Sequence, residues 1–405
     1  MTDNNENKVL NVPHLRFPEF SGEWEIYPLT DFMSFKNGMN PDAKRFGRGT
    51  KFISVMDILN NQFICYDNIR ASVEVVDGDI ETYGVNYGDI LFQRSSETLE
   101  DVGQANVYLD SKPAVFGGFV IRGKSKSNYY PMFFRYLLAS PTARKKIIVK
   151  GAGAQHFNIG QDGLSKVCLN IPSIQEQEKI AKLFECIDTR IATQNKIIED
   201  LKKLKSAISK QVFAQKPNGW NRLDTLFSKG KAGGTPTSTN KEYYNGEIPF
   251  LSINDITKQG KYVRYTENHL SQSGLENSSA WMVPKYSLIM SMYASVGLVT
   301  INEIPITTSQ AMFAMQLKDK DLLDYLYYYL SYFKYRYIHK YLETGTQSNI
   351  NADIVRGIMI PTYGHSRNME IASTLQGFDA KIDNELSVLE LFNRQKNYLL
   401  SQMFI

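Results

Sequence analysis

One stretch of the sequence matches a phosphate-binding motif letter for letter. Residues 118–125 are Gly-Phe-Val-Ile-Arg-Gly-Lys-Ser, which satisfies the G-x-x-x-x-G-K-S pattern that cradles nucleotide phosphates. That chemistry needs a flexible loop between a strand and a helix. Phe119, Val120 and Ile121 are instead typical of a strand, and residues 128–131 do not continue a helix. The context therefore predicts a strand here and no nucleotide site.

Other catalytic signatures are missing from the sequence. An amino-methyltransferase needs an N-P-P-F type tetrapeptide to hold the flipped base, and the chain has no Pro-Pro pair. The five histidines lack the spacing of metal ligands, and no nucleophile elbow occurs. We therefore expect no catalytic site, no metal and no cofactor bound by this chain.

Charge and cysteine content narrow the class of protein only slightly. A net charge of +4 is a mild basic excess, which permits a polyanionic partner without requiring one. The three cysteines form no C-x-x-C pair, so we expect a reducing cytoplasm rather than a disulfide framework. The N-terminus is polar and no stretch approaches a membrane span, which predicts a flexible tail and no membrane partner.

The sequence repeats itself over a long period, which fixes the architecture before any motif is considered. Residues 175–213 align without a gap with residues 366–404 at an offset of 191. Upstream, residues 52–58 match residues 250–256 at an offset of 198, and both runs alternate apolar residues as strands do. Further pairs keep the same order: Trp24 with Trp220, Gly103 with Gly297, Phe119 with Phe313, Gly153 with Gly345, and Ile171-Pro172 with Ile360-Pro361. Two copies of one unit are predicted.

Both repeated tails are predicted to be long helices. Residues 175–213 contain no Pro or Gly, and their apolar residues recur at spacings of three and four, as they do in residues 366–404. A lone helix of this length, roughly 60 Å, would expose its apolar stripe. We therefore expect each helix to pair with its repeat copy. The alternative is that both helices pack lengthwise onto the globular parts.

Along nearly its whole length, the sequence resembles the specificity subunits of type I restriction-modification systems. In the first half the motifs are Trp24, Phe-Ile-Ser-Val-Met-Asp at 52–57, Tyr87-Gly88-Asp89-Ile90-Leu91, Gly151-Ala-Gly153-Ala-Gln155, and Ile171-Pro172 followed by Gln175-Glu176-Gln177. In the second half they are Gly233-Gly234-Thr235-Pro236 and Gly345-Thr346-Gln347-Ser348-Asn349-Ile350. The second half has Tyr286-Ser287-Leu288 in place of Gly88-Asp89-Ile90, so we expect the Gly-Asp turn to be structural.

The resemblance implies an α+β fold with an internal pseudo-two-fold repeat. Two mixed α/β target-recognition domains are separated and followed by long helices, which pair as an antiparallel coiled coil. The implied segments are a flexible N-terminal tail (1–20), target-recognition domain 1 (21–172), spacer helix 1 (173–215), target-recognition domain 2 (216–361) and spacer helix 2 (362–405).

The resemblance also implies a function in sequence-specific DNA recognition. Each target-recognition domain would read one half of a bipartite, asymmetric target in double-stranded DNA, and the helix pair would set the gap. The helices would dock two modification subunits, which methylate adenine, and then two restriction subunits. S-adenosylmethionine, ATP and Mg are thus expected only in partner subunits. The alternatives are a stand-alone DNA-binding adaptor or repressor, and a free-standing enzyme whose catalytic residues the sequence lacks.

Candidate DNA contacts follow from side-chain chemistry, since bases need paired donors and acceptors and phosphates need Lys and Arg on loops. The first half offers Lys44, Arg45, Arg48 and Lys51, then Gln93, Arg94 and Ser95. The second half offers Lys229, Lys231 and Thr235 in a glycine-rich loop, and Ser291 and Tyr293. Because Gln and Asn pair with adenine, further candidates are Gln155, His156, Asn158, Thr346, Gln347 and Asn349. These last residues could equally cap the element that follows them.

Overall fold

A computed structural model describes residues 10–153, 156–342 and 349–405, which fall into two compact units. Unit 1 is Met1–Lys196 with Ser387–Ile405, and unit 2 is Ile197–Leu386. Each unit combines a mixed α/β globular part with portions of two long helices. The predicted α+β fold with an internal repeat is confirmed.

Unit 1 contains two sheets of four strands each. Its strands are β1 (Glu25–Pro28), β2 (Met33–Asn37), β3 (Phe46–Ile53), β4 (Ala71–Val73), β5 (Gly84–Val85), β6 (Ile90–Gln93), β7 (Ser95–Ser96), β8 (Ala105–Val107), β9 (Ala114–Phe116), β10 (Val120–Ser125), β11 (Phe157–Asn158) and β12 (Cys168–Ile171). The sheet orders are β2-β10-β6-β8 and β4-β3-β9-β5, with short pairs β1-β12 and β7-β11. Its helices are α1 (Val55–Asn60), α2 (Asp79–Tyr83), α3 (Pro131–Ala139), α4 (Pro141–Ile148), α5 (Gln161–Ser165) and the first half of α6 (Ile174–Phe213).

Unit 2 repeats this topology with a longer first sheet. Its strands are β13 (Gly219–Arg222), β14 (Phe227–Ala232), β15 (Tyr244–Leu251), β16 (Tyr262–Val263), β17 (Asn268–Leu270), β18 (Leu288–Ser291), β19 (Val299–Asn302), β20 (Thr307–Thr308), β21 (Met312–Leu317) and β22 (Met359–Thr362). The sheet orders are β14-β21-β18-β19-β16 and β17-β15-β20, with the pair β13-β22. Its helices are α7 (Leu223–Leu226), α8 (Ile253–Gln259), α9 (Gln272–Glu276), α10 (Leu323–Arg336), α11 (Ala352–Gly357) and most of α12 (His365–Gln402). The order β2-β10-β6-β8 thus recurs as β14-β21-β18-β19.

The two runs predicted as continuous strands are strands only in their first halves. Strand β3 ends at Ile53, and Ser54 then caps helix α1. The amide of Ser54 donates to the carboxylate of Asp57 at 2.7 Å, which closes a capping box. Ser252 and Asp255 form the same box at the start of α8. The strand prediction was wrong beyond each serine, because the shared polar position is a helix cap.

The two long helices meet side by side in unit 1. The rings of Phe184 in α6 and Phe404, just beyond α12, lie 5.7 Å apart. Further along α6, Asp188 accepts a hydrogen bond from Lys396 of α12 at 2.5 Å. Since a later residue of α6 meets an earlier residue of the C-terminal segment, the pairing is antiparallel. Tyr136 of α3 also donates to Asp188, at 2.8 Å, so the globular part is tied to both helices.

Unit 2 repeats this arrangement with the C-terminal part of α6 and the N-terminal part of α12. Lys205 of α6 pairs with Asp379 of α12, and Tyr328 of α10 donates to Asp379 at 2.6 Å. Phe213, at the end of α6, shares a core cluster with Leu375 of α12 and with α10. The helix ends therefore pair with each other and also pack into the globular core, so the two interpretations offered by the sequence both hold for these stretches.

The segment predicted as a flexible tail is anchored where the structure describes it. The guanidinium of Arg16 donates to Glu176 of α6 at 2.8 Å, and the amide of Leu15 donates to the carbonyl of Gln402 at 3.0 Å. The amide of Trp24 donates to the carbonyl of Asn11 at 2.8 Å. Residues 11–20 therefore depart from the predicted tail, because a side chain 160 residues away holds them.

Candidate nucleic-acid interface

The residues that match the phosphate-binding pattern form a central strand. Strand β10 pairs with β2 on one side and β6 on the other, so Gly123 lies in register with Phe35 and Ile90. A Cβ at Gly123 would come within 2.4 Å of the sulfur of Met33. The predicted strand is confirmed from Val120 onward, whereas Phe119 lies in the turn before it. Close packing against Met33 accounts for Gly123 without a phosphate.

The described part of the chain holds no group of metal ligands, no disulfide and no helix able to span a membrane. Within residues 10–153, 156–342 and 349–405, no group of three His, Cys, Asp or Glu side chains is placed to hold a metal ion. The thiols of Cys65, Cys168 and Cys186 are free. No helix among these residues has both the length and the apolar character needed to cross a bilayer.

Two candidate segments that are distant in sequence meet on one surface of unit 1. Strand β7 pairs with β11, which places Ser95 opposite Asn158. The Ser95 hydroxyl donates to the side-chain carbonyl of Asn158. The side-chain amide of Asn158 donates in turn to the backbone carbonyl of His156 at 3.2 Å. His156 and Asn158 are exposed, while Ser95 is half-buried. We call Arg94, Ser95, His156 and Asn158 the Arg94 surface.

The backbone of Arg94 is fixed by a hydrogen bond, and its guanidinium is only partly engaged within the protein. Its amide donates to the carbonyl of Phe119 at 2.8 Å, and its guanidinium donates to the carbonyl of Gly118 at 3.2 Å. The side chain is half-buried, so part of its donor fork remains available. The neighbouring Gln93 is only 5 % exposed and donates to the carbonyl of Ser95 at 2.9 Å. Gln93 therefore supports the surface from below, which corrects its prediction as a DNA contact.

The prediction of a basic loop before β3 was wrong, because Lys44 and Arg45 lie in a short 3-10 helix and Arg48 and Lys51 lie in β3 itself. Arg45 donates to the carbonyl of Glu74 at 2.7 Å and pairs with Asp79, and Lys51 donates to the carbonyl of Ile69 at 2.7 Å. The pKa of Asp79 is lowered by a hydrogen bond from the Val76 amide and by Arg45. These contacts tie β3 and the 3-10 helix before it to residues 69–79.

The other two basic residues of this group, Lys44 and Arg48, face solvent. Lys44 is exposed and makes no ion pair among the described residues. Arg48 pairs with Glu74 at 2.8 Å, but its side chain is 72 % exposed, so water screens that pair strongly. Lys44 and Arg48 are thus the members of the group that a phosphate could reach. No hydrogen bond or ion pair of the described residues links them to the Arg94 surface.

In unit 2, Lys229 and Lys231 lie on strand β14 rather than in the predicted loop. They occupy alternate positions of the edge strand, so both point to the same face. The ammonium of Lys229 lies 4.2 Å above the ring of Trp281, and that of Lys231 donates to the carbonyl of Ser279 at 3.4 Å. Thr235, in the glycine-containing loop after the strand, is exposed.

Ser291 is fully buried, which removes it from the candidate contacts. Its hydroxyl donates to the carbonyl of Ser295 at 2.8 Å and accepts from the amide of Leu298 at 3.0 Å. These bonds shape a tight loop in which Ala294 and Ser295 have positive φ. Tyr293 projects from that loop and is 41 % exposed. Ser291 was predicted to touch DNA because its segment corresponds to the region of Arg94, but its hydrogen-bonding capacity is used inside the protein.

The loops of the two units share one backbone framework. In unit 1 the amide of Ile159 donates to the carbonyl of Arg94 at 2.9 Å. In unit 2 the amide of Ile350 donates to the carbonyl of Met292 at 3.0 Å. Glycine amides close both loops: Gly103 donates to the carbonyl of Gln93 at 2.9 Å and Gly297 to that of Ser291 at 2.8 Å. We call Tyr293 with the half-buried Asn349 the Tyr293 surface. Gln155, Thr346 and Gln347 lie outside the described residues.

Two aromatic residues at these surfaces were missed from the sequence. Phe119, whose carbonyl accepts from the Arg94 amide, is 69 % exposed. Its predicted repeat partner Phe313 is fully buried and lies opposite Met290, which makes it equivalent to Ile121 opposite Phe92. The Phe119–Phe313 match was therefore wrong. The ring of Trp281 lies under the ammonium of Lys229. In the sequence Trp281 follows a run of small polar residues, a pattern that does not indicate a functional role.

Comparison with known proteins identifies one family. The family model described as "Type I restriction modification DNA specificity domain" matches residues 21–203 and, a second time, residues 217–390. The MjaX protein of Methanocaldococcus jannaschii, assigned as a type I restriction enzyme specificity subunit, is 24 % identical over 425 aligned positions. That alignment covers 97 % of this chain and 96 % of the relative.

Two solved structures share the fold at low sequence identity. The S subunit of a type I restriction-modification system from M. genitalium superimposes with a TM-score of 0.54 at 14 % identity, covering 97 % of this chain and 99 % of that chain. A structure from work on complex assembly and conformational transition of the type I R-M system gives 0.62 at 15 % identity, covering 93 % and 96 %.

Proposed function

Because this chain belongs to the type I restriction-modification DNA specificity family, we propose that its Arg94 and Tyr293 surfaces each recognise one half of a bipartite, asymmetric target. Subunits of this family recognise the DNA sequence for a type I restriction-modification complex, and the catalytic activities reside in partner subunits. The Arg94 surface belongs to unit 1 and the Tyr293 surface to unit 2, so each half of the target meets one unit.

The repeated loop framework carries this proposal. Both loops follow a central strand, both are closed by a glycine amide, and both bond to the segment before the next helix. The side chains at equivalent positions nevertheless differ: Arg94 corresponds to Met292, and Ser95 to Tyr293. A common scaffold with different donors, acceptors and ring faces is what two recognition surfaces for different bases require.

Exposed cations in each unit supply sequence-independent affinity. Lys44 and Arg48 in unit 1, and Lys229 in unit 2, extend into solvent where duplex phosphates can approach. The ring of Trp281 holds Lys229 in place without neutralising its charge. Thr235 is exposed in the loop that follows the strand of Lys229 and Lys231, and its hydroxyl is a further donor for a phosphate.

The complete complex is inferred to contain two modification and two restriction subunits, with the paired helices as their docking surface. S-adenosylmethionine then belongs to the modification subunits, and ATP with Mg to the restriction subunits. The free thiols of Cys65, Cys168 and Cys186 fit a reducing compartment, so we place the complex in the cytoplasm. The matching helix contacts in the two units, Lys396 with Asp188 and Lys205 with Asp379, support docking of identical partners twice.

Co-expression with a modification subunit tests the proposal. The chain should co-purify with it, and single-molecule sequencing of the host DNA should reveal methylated adenines in a split motif with a fixed nonspecific gap. A stable complex that methylates one uninterrupted motif would overturn the assignment of one half to each unit. Specific DNA binding without any co-purifying partner would instead indicate a stand-alone adaptor.

A further inference from the structure

A basic, tyrosine-lined cavity of about 450 Å³ lies in unit 2, between the end of α6 and helix α10. Its volume is within the range of roughly 300–1,000 Å³ that small-molecule sites occupy. Gly297 forms part of the wall with φ +78°, and a Cβ there would approach the side chains of Lys334 and Ile338 at 3.3 and 3.2 Å. The glycine therefore allows the loop and helix α10 to come close together.

The cavity collects positive charge without matching negative charge. Five cations line it, namely Lys202, Lys205, Lys210, Lys334 and Arg336, and no carboxylate does. Only Lys205 has a carboxylate partner within the described residues, which is Asp379. Burial lowers the pKa of Lys334, because desolvation disfavours its charged form. Like charges around one concavity repel one another, so an anion bound there would be stabilised.

Aromatic rings supply the second recognition element. Tyr327, Tyr328, Tyr332 and Tyr335 also line the cavity. Tyr335 is 83 % exposed, and the Lys334 ammonium lies 5.7 Å from its ring centre. Aromatic faces beside lysines are the combination that holds a base by stacking and a phosphate by charge. Tyr328 is already engaged with Asp379, which leaves Tyr335 as the most accessible ring.

Unit 1 keeps only part of this chemistry, since Lys205 and Arg336 correspond to Lys396 and Arg144 while the other three cations and Tyr335 are replaced. At the offset of 191, Lys202 corresponds to Asn393 and Lys210 to Ser401. With Tyr136 aligned to Tyr328, Lys334 corresponds to Thr142 and Tyr335 to the buried Ala143. A partner that docks identically on both units would use features present in both. The cavity therefore fits a ligand that only unit 2 binds.

We propose that this cavity is a binding site for a nucleotide phosphate, with Lys202, Lys210 and Lys334 holding the phosphate and Tyr335 stacking on the base. The phosphate belongs either to a free nucleotide or to the backbone of DNA, and both present the same chemistry to these residues. This site is separate from the Arg94 and Tyr293 surfaces and does not depend on their role in base recognition.

Isothermal titration of the full chain tests the proposal with five probes: pyrophosphate, ADP, adenosine, a duplex without the target sequence, and an oligoglutamate peptide. Lys202→Ala combined with Lys334→Ala should weaken pyrophosphate and ADP binding at least tenfold. Lys203→Ala is the matched control, because Lys203 follows Lys202 on α6 but lies outside the cavity, near Glu199. Tyr335→Ala should weaken ADP binding without changing pyrophosphate binding. Thermal unfolding checks that each variant is folded.

The outcomes separate the sources of the phosphate. Binding of ADP that the double variant loses indicates a free nucleotide, and binding of the duplex alone, with the same loss, indicates the DNA backbone. Two results would overturn the proposal: no phosphate probe binds the folded wild-type chain, or Lys203→Ala weakens binding as much as the double variant. Oligoglutamate that binds as tightly as pyrophosphate and is lost with it would also contradict the proposal, and would indicate an acidic protein segment instead.

Discussion

Units 1 and 2 differ most where they face solvent and least where they hold the helices. In unit 1, Tyr136 and Lys396 converge on Asp188, and in unit 2, Tyr328 and Lys205 converge on Asp379. The loop frameworks also coincide, yet Arg94 and Ser95 give way to Met292 and Tyr293. Duplication has thus preserved the framework that positions each surface, while the side chains of the two proposed recognition surfaces have diverged.

Exchanging the globular part of one unit should have the largest effect on DNA recognition. Replacing residues 21–172 with the corresponding region of a relative should change one half of the methylated motif and leave the other half and the gap unchanged. We expect complete loss of methylation at DNA sites that carry the original half of the motif, because the replaced domain no longer recognises it. Sequencing of methylated adenines measures it. A change in both halves would contradict separate recognition by the two units.

Removing the shared carboxylates should destabilise unit 1 more than unit 2. The side chains of Asp188 and Lys396 are 9 % and 25 % exposed, and those of Asp379 and Lys205 are 29 % and 26 % exposed. The two lysines are equally exposed, but the Asp188 carboxylate is buried more deeply than that of Asp379, so water screens its contacts less. We therefore expect Asp188→Asn to lower the free energy of unfolding by about 3 kcal/mol. Asp379→Asn should cost about 1 kcal/mol, because water screens that pair more.

Denaturant unfolding of the two variants and of the corresponding lysine variants measures this difference. Lys396→Met and Lys205→Met complete a double-mutant cycle in each unit, which separates the pair interaction from other effects of each substitution. Equal losses at Asp188 and Asp379 would show that burial does not set the strength of these contacts.

Lys44 and Lys51, seven residues apart, should separate recognition from stability. Lys44→Ala should leave the thermal midpoint unchanged and reduce the slope of log affinity against log salt by about one, as expected when one phosphate contact is lost. Lys51→Ala should lower the free energy of unfolding by about 1 kcal/mol, because its ammonium bonds to the carbonyl of Ile69. Binding titrations at several salt concentrations and thermal unfolding measure the two effects. A reduced salt slope for Lys51→Ala alone would reverse the roles given to the two residues.

The long-period features of the fold could be predicted from the sequence. Apolar spacing placed the long helices within two residues of α6 (Ile174–Phe213) and α12 (His365–Gln402), because uninterrupted periodicity leaves few alternatives. The Gly-Asp turn was also predicted correctly: Gly88 has φ +89°, and Asp89 accepts from the amide of Ser125 at 2.8 Å. The capping boxes at Ser54 and Ser252 were visible as S-x-x-D but were hidden by the apolar alternation around them.

The candidate surfaces could be predicted only in part, because burial depends on contacts distant in sequence. Ser291 and Tyr293 are two residues apart, but one is buried and the other is exposed on a loop with positive φ. The pairing of Ser95 with Asn158 spans 63 residues and brings together two segments that were predicted separately. The anchor between Arg16 and Glu176 spans 160 residues, and no local pattern indicates it.

The most direct test of separate recognition compares Arg94→Ala with Tyr293→Ala, each co-expressed with the modification subunit and mapped by single-molecule sequencing. Arg94→Ala should relax the base preference in one half of the motif by about tenfold, the scale of one lost base contact, and Tyr293→Ala should relax only the other half. Relaxation of the same half by both variants, or of both halves by either one, would contradict the account.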